Sequence, residues 1–340
     1  MKKLHVLSIL VIVLGLCGIV LLIRPSSEPT PTSAEPRSSK VAVQIGYSRL
    51  RISLPIFVAM EKRLFEKYGL EVSLVPYDTA QPMTQALAEG KIHAAGYTAL
   101  PITYNAMHRS AKPLYYATLM LEDQQHRISY LLRAKTPPGE TPKIQSVADL
   151  AGKRVGVLPT VAYQRWLVAI LKANQVDPAS VTIQDIDPTV QGQTLKSGGV
   201  DALFTGDPVA TAVVIAGAGE LLNNQVELPS IFGDPFAFGS FNFSKQWADE
   251  NQRTAEKVVL ALDEAIDFIN ANPAEANLMM KSYLQPMFQP HVDKYPPARY
   301  QRSTEPIDQA LADAARQYLD AGIIPAKVDV SGLGFPKKQP

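Results

Sequence analysis

One architectural module occurs twice in this chain, and that repetition constrains the fold more than any other feature. The first copy runs from Val41 to Pro101. It reads as a strand (VAVQIGY), a helix (LPIFVAMEKRLFEKY) closed by Gly69, a strand (LEVSLVPY), a helix (QPMTQALAEG) and a short strand (KIHAAGY) ending in a turn, TALP. The second runs from Lys153 to Pro208, with strands KRVGVLP, SVTIQDID and VDALFTGDP separated by helices AYQRWLVAILKAN and PTVQGQTLKSGG. Strands alternating with helices of this length imply right-handed crossovers and mostly parallel sheets. Two such sheets, one per lobe, leave a cleft between the carboxyl ends of their strands, where α/β ligands bind.

Between the modules lie the strand-like YYATLML and ISYLLRA, the latter read as the first passage between lobes. After the second module the aromatic FGDPFAFGSFNFS returns the chain to the first lobe. From Trp247 onward the pattern is helical. TAEKVVLALDEAIDFINANP puts Val258, Leu262, Ala265 and Ile269 on one face, and the tail SGLGFPKKQP reads as frayed. The expected organisation is a first lobe of 40–131 plus 240–340, a second lobe of 132–239 inserted in it, and a two-stranded hinge.

Ahead of the lobes stands a distinct N-terminal segment, 1–24. Lys2 and Lys3 precede an uncharged run from Leu4 to Ile23, closed by Arg24. Roughly 20 apolar residues span a bilayer, and about 7–15 suffice for a signal core. The run therefore reads as an uncleaved anchor, a cleaved signal, or a lipoprotein signal with Cys17 as the lipidated residue. Each of these exports the rest. Residues 25–40 (PSSEPTPTSAEPRSSK) cannot bury a core and form a tether reaching about 50 Å in a polyproline-like state. The expected location is the periplasmic or extracytoplasmic face of a cytoplasmic membrane. Cys17 is the single cysteine, so no intramolecular disulfide forms. A net charge of +1 gives no argument for nucleic acid, and the five histidines are too scattered for a local metal motif. G-x-S-x-G, H-E-x-x-H, a phosphate loop and a dinucleotide fingerprint are all missing, so no catalytic residue, cofactor or metal is expected.

Four strand-end loops would line the cleft: Gly46-Tyr47-Ser48-Arg49, Gly96-Tyr97-Thr98, Leu158 to Tyr163, and Thr205-Gly206-Asp207. Each precedes a helix, so helix N-termini aim at the same space. The candidate ligand-binding residues are Tyr47, Ser48, Arg49, Tyr97, Thr98, Thr160, Tyr163 and Asp207. The tyrosines offer ring faces and hydroxyls, Arg49 a fork for a sulfonate or carboxylate, and Asp207 an acceptor for an amine or hydroxyl. Thr160, Thr205 and Asp207 are also helix-capping types. Arg51 reads as solvated, Tyr104 and Trp166 as core, and His93 as a hydrogen-bonded structural residue.

The segment from IGYSRLRISLPIFVAMEKRLFEKYGLEV to GKIHAAGY resembles the opening lobe of periplasmic solute-binding proteins of the sulfonate, nitrate and thiamine-precursor type. DLAGKRVGV, GGVDALFTGDPVA and NPAEA resemble later parts of the same family, so the resemblance covers roughly 40–325. Arg63 stands where the family usually has a glycine, and His93 where it usually has an acid. The resemblance implies a two-lobed type II periplasmic-binding-protein fold. It also implies a monomer that captures a small organic molecule, a sulfonate-like anion or a heteroaromatic, and passes it to the membrane subunits of an ABC importer. Related two-lobed proteins include lyases and thiamine-precursor synthases, so an enzyme is the alternative.

Overall fold

The computed structural model describes residues 40–110, 112–222 and 228–336, so the N-terminal segment and most of the tether lie outside the described residues. In chain order the strands are β1 (Val41–Ser48), β2 (Leu70–Tyr77), β3 (Ala94–Ala99), β4 (Leu114–Glu122) and β5 (Ser129–Ala134), then β6 (Arg154–Val157), β7 (Thr182–Asp185) and β8 (Ala202–Gly206), and finally β9 (Gly219–Leu221), β10 (Phe236–Ser244) and β11 (Arg299–Gln301). They form two sheets, ordered β11-β4-β10-β3-β1-β2 and β7-β6-β8-β5-β9. Each contains the expected parallel triplet, β2-β1-β3 in one and β7-β6-β8 in the other.

The crossing segments are assigned by their sheets. ISYLLRA is not itself the passage: β5 pairs antiparallel with β8 inside the second sheet. The chain changes sheet between Glu122 and Ser129. Returning, β10 inserts antiparallel between β3 and β4 of the first sheet. All nine residues of β4 and of β10 are buried. Their near-continuous apolar and aromatic runs suit strands covered on both faces.

Two local expectations are corrected. The long first helix is two helices, Leu54–Glu61 and Leu64–Lys67, because Arg63 adopts φ 55°, the left-handed conformation that glycine takes freely. The tail is not frayed as far as Phe335. Tyr116 N donates to Leu333 O and Phe335 N to Tyr116 O, each at 2.8 Å, and Leu333 and Phe335 are buried. An apolar pair, Leu333 and Phe335, flanking Gly334 gives this segment something to bury, which its glycine and lysine content obscures.

The 20-residue helix Gln252–Ala271 buries Val258, Leu262, Ala265 and Ile269, the face its periodicity requires. Trp166 and Tyr104 are fully buried. His93 accepts from Gln44 N at 3.1 Å and stacks on Trp247, the contacts of a hydrogen-bonded residue beside the first sheet. Among the described residues no helix is long and apolar enough to cross a membrane.

Candidate functional site

The carboxyl ends of both parallel triplets open onto one cavity of about 80 Å³, room for several waters or a solute of a few non-hydrogen atoms. From the first sheet come Ser48 at the end of β1, Asp78 and Thr79 after β2, and Tyr97 and Ala99 of β3. The second sheet contributes Leu158, Pro159 and Thr160 after β6, Pro188 after β7 and Asp207 after β8. Tyr163 stands one turn into the helix Val161–Ala173, while Ile52, Ile102, Met120, Ile128 and Phe238 give the wall its apolar character. This is the position where doubly wound sheets hold ligands.

Arg51 spans the interior. It opens a short 3₁₀ turn after β1 and is 1% exposed. Its Nη1 donates to Pro296 O at 2.6 Å, and its Nη2 donates to Arg127 O at 3.0 Å. One guanidinium thus holds a first-lobe loop and the segment where the chain crosses between sheets. Asp207 of the second lobe lies 3.5 Å from Nη2 through Oδ2. Nη2 carries two N–H groups and gives one to Arg127 O, but no hydrogen bond joins it to Asp207, so that contact is Coulombic and Oδ2 lacks a hydrogen-bond donor. Asp207 Oδ1 accepts from Thr211 N at 3.0 Å and from Thr211 Oγ1 at 2.7 Å. One oxygen of this carboxylate therefore serves its own helix and the other faces the opposite lobe.

Five of the eight sequence-derived candidates, Ser48, Tyr97, Thr160, Tyr163 and Asp207, line this cavity. Tyr47, Arg49 and Thr98 do not. Alternation along β1 puts Ser48 toward the cavity and turns the Tyr47 ring onto Phe57 and Tyr283, at 5.5 and 6.4 Å. The same alternation along β3 turns Thr98 away from the side on which Tyr97 and Ala99 lie. Arg49 is exposed, and the arginine two residues on is the buried one, reversing the expectation that Arg51 is solvated. Only the apolar run that starts at Ile52 hinted at this. Asp78, Met120 and Phe238 also went unrecognised, since each needs a neighbouring strand to bring it to the cleft.

Two tyrosines fix the floor. Tyr97 has φ 45°, a conformation that bulky residues adopt only at some cost. It is held there by a 2.7 Å hydrogen bond between its hydroxyl and Thr118 Oγ1, and by edge contacts with Phe241 and Tyr300. The Tyr163 ring packs among Trp166, Phe204 and Phe238. Burial pushes both phenols well above their ordinary range, so they act as neutral hydroxyls at any physiological pH. Thr160 caps its helix by accepting from Tyr163 N at 3.3 Å. No group of His, Cys, Asp and Glu that could hold a metal ion occurs among the described residues.

A second buried carboxylate sits at the crossing. Glu122, last residue of β4, accepts from Ser129 Oγ at 2.8 Å, the first residue of β5. Burial raises it to about 7 against the opposing pull of the Ser129 hydrogen bonds and Arg127. Next to it burial pushes Asp123 upward, but hydrogen bonds from Arg299 and His126 prevail and hold it well below the usual carboxylate range.

Two α/β sheets that meet over a cavity at their strand ends make the two-lobed periplasmic-binding-protein fold. Solved structures agree. The alkanesulfonate-binding protein SsuA from Xanthomonas axonopodis pv. citri, bound to MOPS, superposes with TM-score 0.67 at 20% identity, covering 88% of this chain and 99% of that one. The chain belongs to the NMT1-like family, whose model matches residues 37–283. It is 25% identical over 255 residues to the nitrate/nitrite binding protein NrtA of Synechococcus elongatus, covering 70% of this chain and 57% of that protein. It is also 30% identical over 182 residues to the bicarbonate transport ATP-binding protein CmpC of the same species, covering 50% and 27%. The chain thus spans less than two thirds of the length of these curated relatives.

Proposed function

We propose that this chain is the solute-binding protein of an ABC importer, capturing a small molecule between its lobes on the outer face of a cytoplasmic membrane. The observation that carries the reading is the cavity itself, bordered by the strand ends of both sheets and bridged from one lobe to the other by Arg51 and Asp207. Contacts that need both walls exist only when the lobes are together, so a solute there favours closure by population shift. The names of the similar proteins, for binding or transport of nitrate, bicarbonate and sulfonates, support the transport role. In this reading the protein acts as a monomer, the lobe built on β1–β4, β10 and β11 moves against the lobe built on β5–β9, and Leu4–Ile23 with the following tether keeps the protein near its importer.

The test is native mass spectrometry of the purified protein for a co-purified small molecule, followed by small-angle scattering with and without it. Binding of one molecule per chain with compaction, and its recovery unchanged after long incubation, is the expected result. Conversion of the molecule would mark an enzyme instead. For the tether, Cys17→Ser is expected to leave the full-length protein with the membrane fraction, and release into the soluble fraction would assign the attachment to lipidation.

A further inference from the structure

Among the residues lining the cavity, two buried polar atoms have no hydrogen-bond partner: Arg51 Nε and Asp207 Oδ2. One is a donor on the first lobe, the other an acceptor on the second. Their side chains are 1% and 0% exposed, so bulk water does not satisfy either. Leaving buried polar groups unpaired is costly, and a native site that holds two of opposite kind is shaped for something that pairs both. The charges on the lining are Arg51, Asp207 and the exposed Asp78, one cation against two carboxylates. The cation's two Nη groups already donate to the backbone oxygens of Pro296, Pro297 and Arg127. Helix N-termini at Ala80 and Val161 border the same space and add further donors for an acceptor atom.

Resting on the solute-binding reading above, we propose that the cleft selects a small neutral solute carrying an N–H donor beside an acceptor, of the carboxamide or urea class, and discriminates against simple anions. The acceptor meets Arg51 Nε and the helix N-termini, the N–H meets Asp207 Oδ2, and the apolar remainder lies along Ile52, Ile102 and Met120. A nitrate, sulfonate or carboxylate anion offers nothing to Asp207 Oδ2 and brings a negative charge against it. This departs from the anions named for the similar proteins, and it depends on Asp207 sharing the cavity with an arginine whose Nη groups already donate to three backbone oxygens.

Isosteric pairs isolate the effect: acetamide against acetate, and propionamide against propionate, with methanesulfonate and nitrate as further anions. Titrated into the wild-type protein at fixed ionic strength and followed by ligand-observed NMR, each amide is expected to bind at least about tenfold tighter than its carboxylate. Asp207→Asn, which supplies a donor in place of a carboxylate oxygen, is expected to level or reverse that ratio. The wild-type pairs alone decide the matter if this variant does not fold. Equal or tighter binding of the carboxylates, methanesulfonate or nitrate overturns the proposal. Binding of neither member of any pair also overturns it. In that case a co-purified solute with ligand-induced compaction would leave the solute-binding reading standing, and neither being found would remove both.

Discussion

The two sheets repeat one topology but fix their sides of the cleft by different means. Each has a parallel triplet followed by an antiparallel fourth strand, β10 in the first sheet and β5 in the second. In both cases that fourth strand is the one by which the chain enters from the other lobe. The β1–β2 ladder runs over eight residue pairs and the β6–β7 ladder over four. On the first side Arg51 is tied to carbonyls far away in sequence, Pro296 and Arg127. On the second side Asp207 is tied four residues on, to Thr211 at the start of the next helix. Arg51 is thus held by tertiary contacts and Asp207 by a local cap. The same carboxylate that accepts from Thr211 through Oδ1 has no hydrogen-bond donor at Oδ2.

The strongest way to break this comparison is to remove the tertiary anchor. Arg51→Ala leaves three backbone carbonyls and the buried Asp207 without their cation. It is expected to lower stability by about 3–5 kcal/mol, the range for breaking a buried pair from one side, measured by urea unfolding. Arg49→Ala, an exposed side chain two residues away, is expected to stay within about 0.5 kcal/mol. Similar losses for both would show that Arg51 is not the anchor of the first wall.

The crossing between the sheets supplies a pH test of the next size. Glu122 is raised from 4.5 to about 7 in the folded protein. Between those values the folded state holds a proton that the unfolded state has lost, so stability falls as pH rises from about 4.5 to 7 and is level above it. The contribution is of order 3 kcal/mol at most. Glu122→Gln keeps a neutral side chain of the same shape and is expected to abolish that slope, leaving the variant more stable than wild type near pH 8. Asp123, held low by Arg299 and His126, works in the opposite direction: its contribution is present above its unfolded value near 3.8 and is lost in stronger acid. A wild-type stability that does not fall between pH 5 and 7 would mean that Glu122 is ionised across that range and that the crossing tolerates a buried charge.

On the second wall, Tyr163 separates packing from recognition. Its ring is enclosed by Trp166, Phe204 and Phe238, so Tyr163→Ala removes core as well as cavity lining and is expected to cost about 3–5 kcal/mol of stability. Tyr163→Phe keeps the ring. It is expected to leave the unfolding midpoint unchanged and weaken solute binding by about 1 kcal/mol, read by titration with the co-purified molecule. Unchanged affinity in the Phe variant would restrict this side chain to packing and leave Asp207 as the polar contact of the second wall.

Most of this architecture is legible in the sequence because it rests on local signals. The repeated strand–helix–strand pattern, glycines at helix ends and the amphipathic period of Gln252–Ala271 all act within a few residues. What was not legible depends on partners far away. A polar side chain such as Arg51 is buried only because Pro296, Arg127 and Asp207 come to meet it, and nothing near it in the chain announces them. Arg63 is the intermediate case: the residue type argues for a continuous helix, while the family's glycine at that place argues for the left-handed turn that the structure adopts. Choosing Arg49 over Arg51 reflects the same limit, and choosing Tyr47 and Thr98 along with their neighbours reflects another. A strand-end loop is easy to locate, but which alternate side chain faces the cleft is a register question, and a one-residue error inverts the answer.

The smallest expected effect therefore sharpens the comparison furthest. Tyr47 lies near the end of β1 and Tyr163 in the helix that follows β6, and both are buried. Only Tyr163 borders the cavity, whereas Tyr47 turns its ring against Phe57 and Tyr283. Tyr47→Phe removes a hydroxyl that makes no hydrogen bond among the described residues while keeping the ring contacts. Stability is expected to stay within about 0.5 kcal/mol, and affinity for the co-purified solute to equal that of wild type within the error of titration. Measured beside Tyr163→Phe, this gives two tyrosine-to-phenylalanine changes, one in the first module and one in the second, with unequal effects on binding. If Tyr47→Phe weakens binding as much as Tyr163→Phe does, the hydroxyl reaches the solute in the bound state, and the first wall must rearrange around β1 on closure.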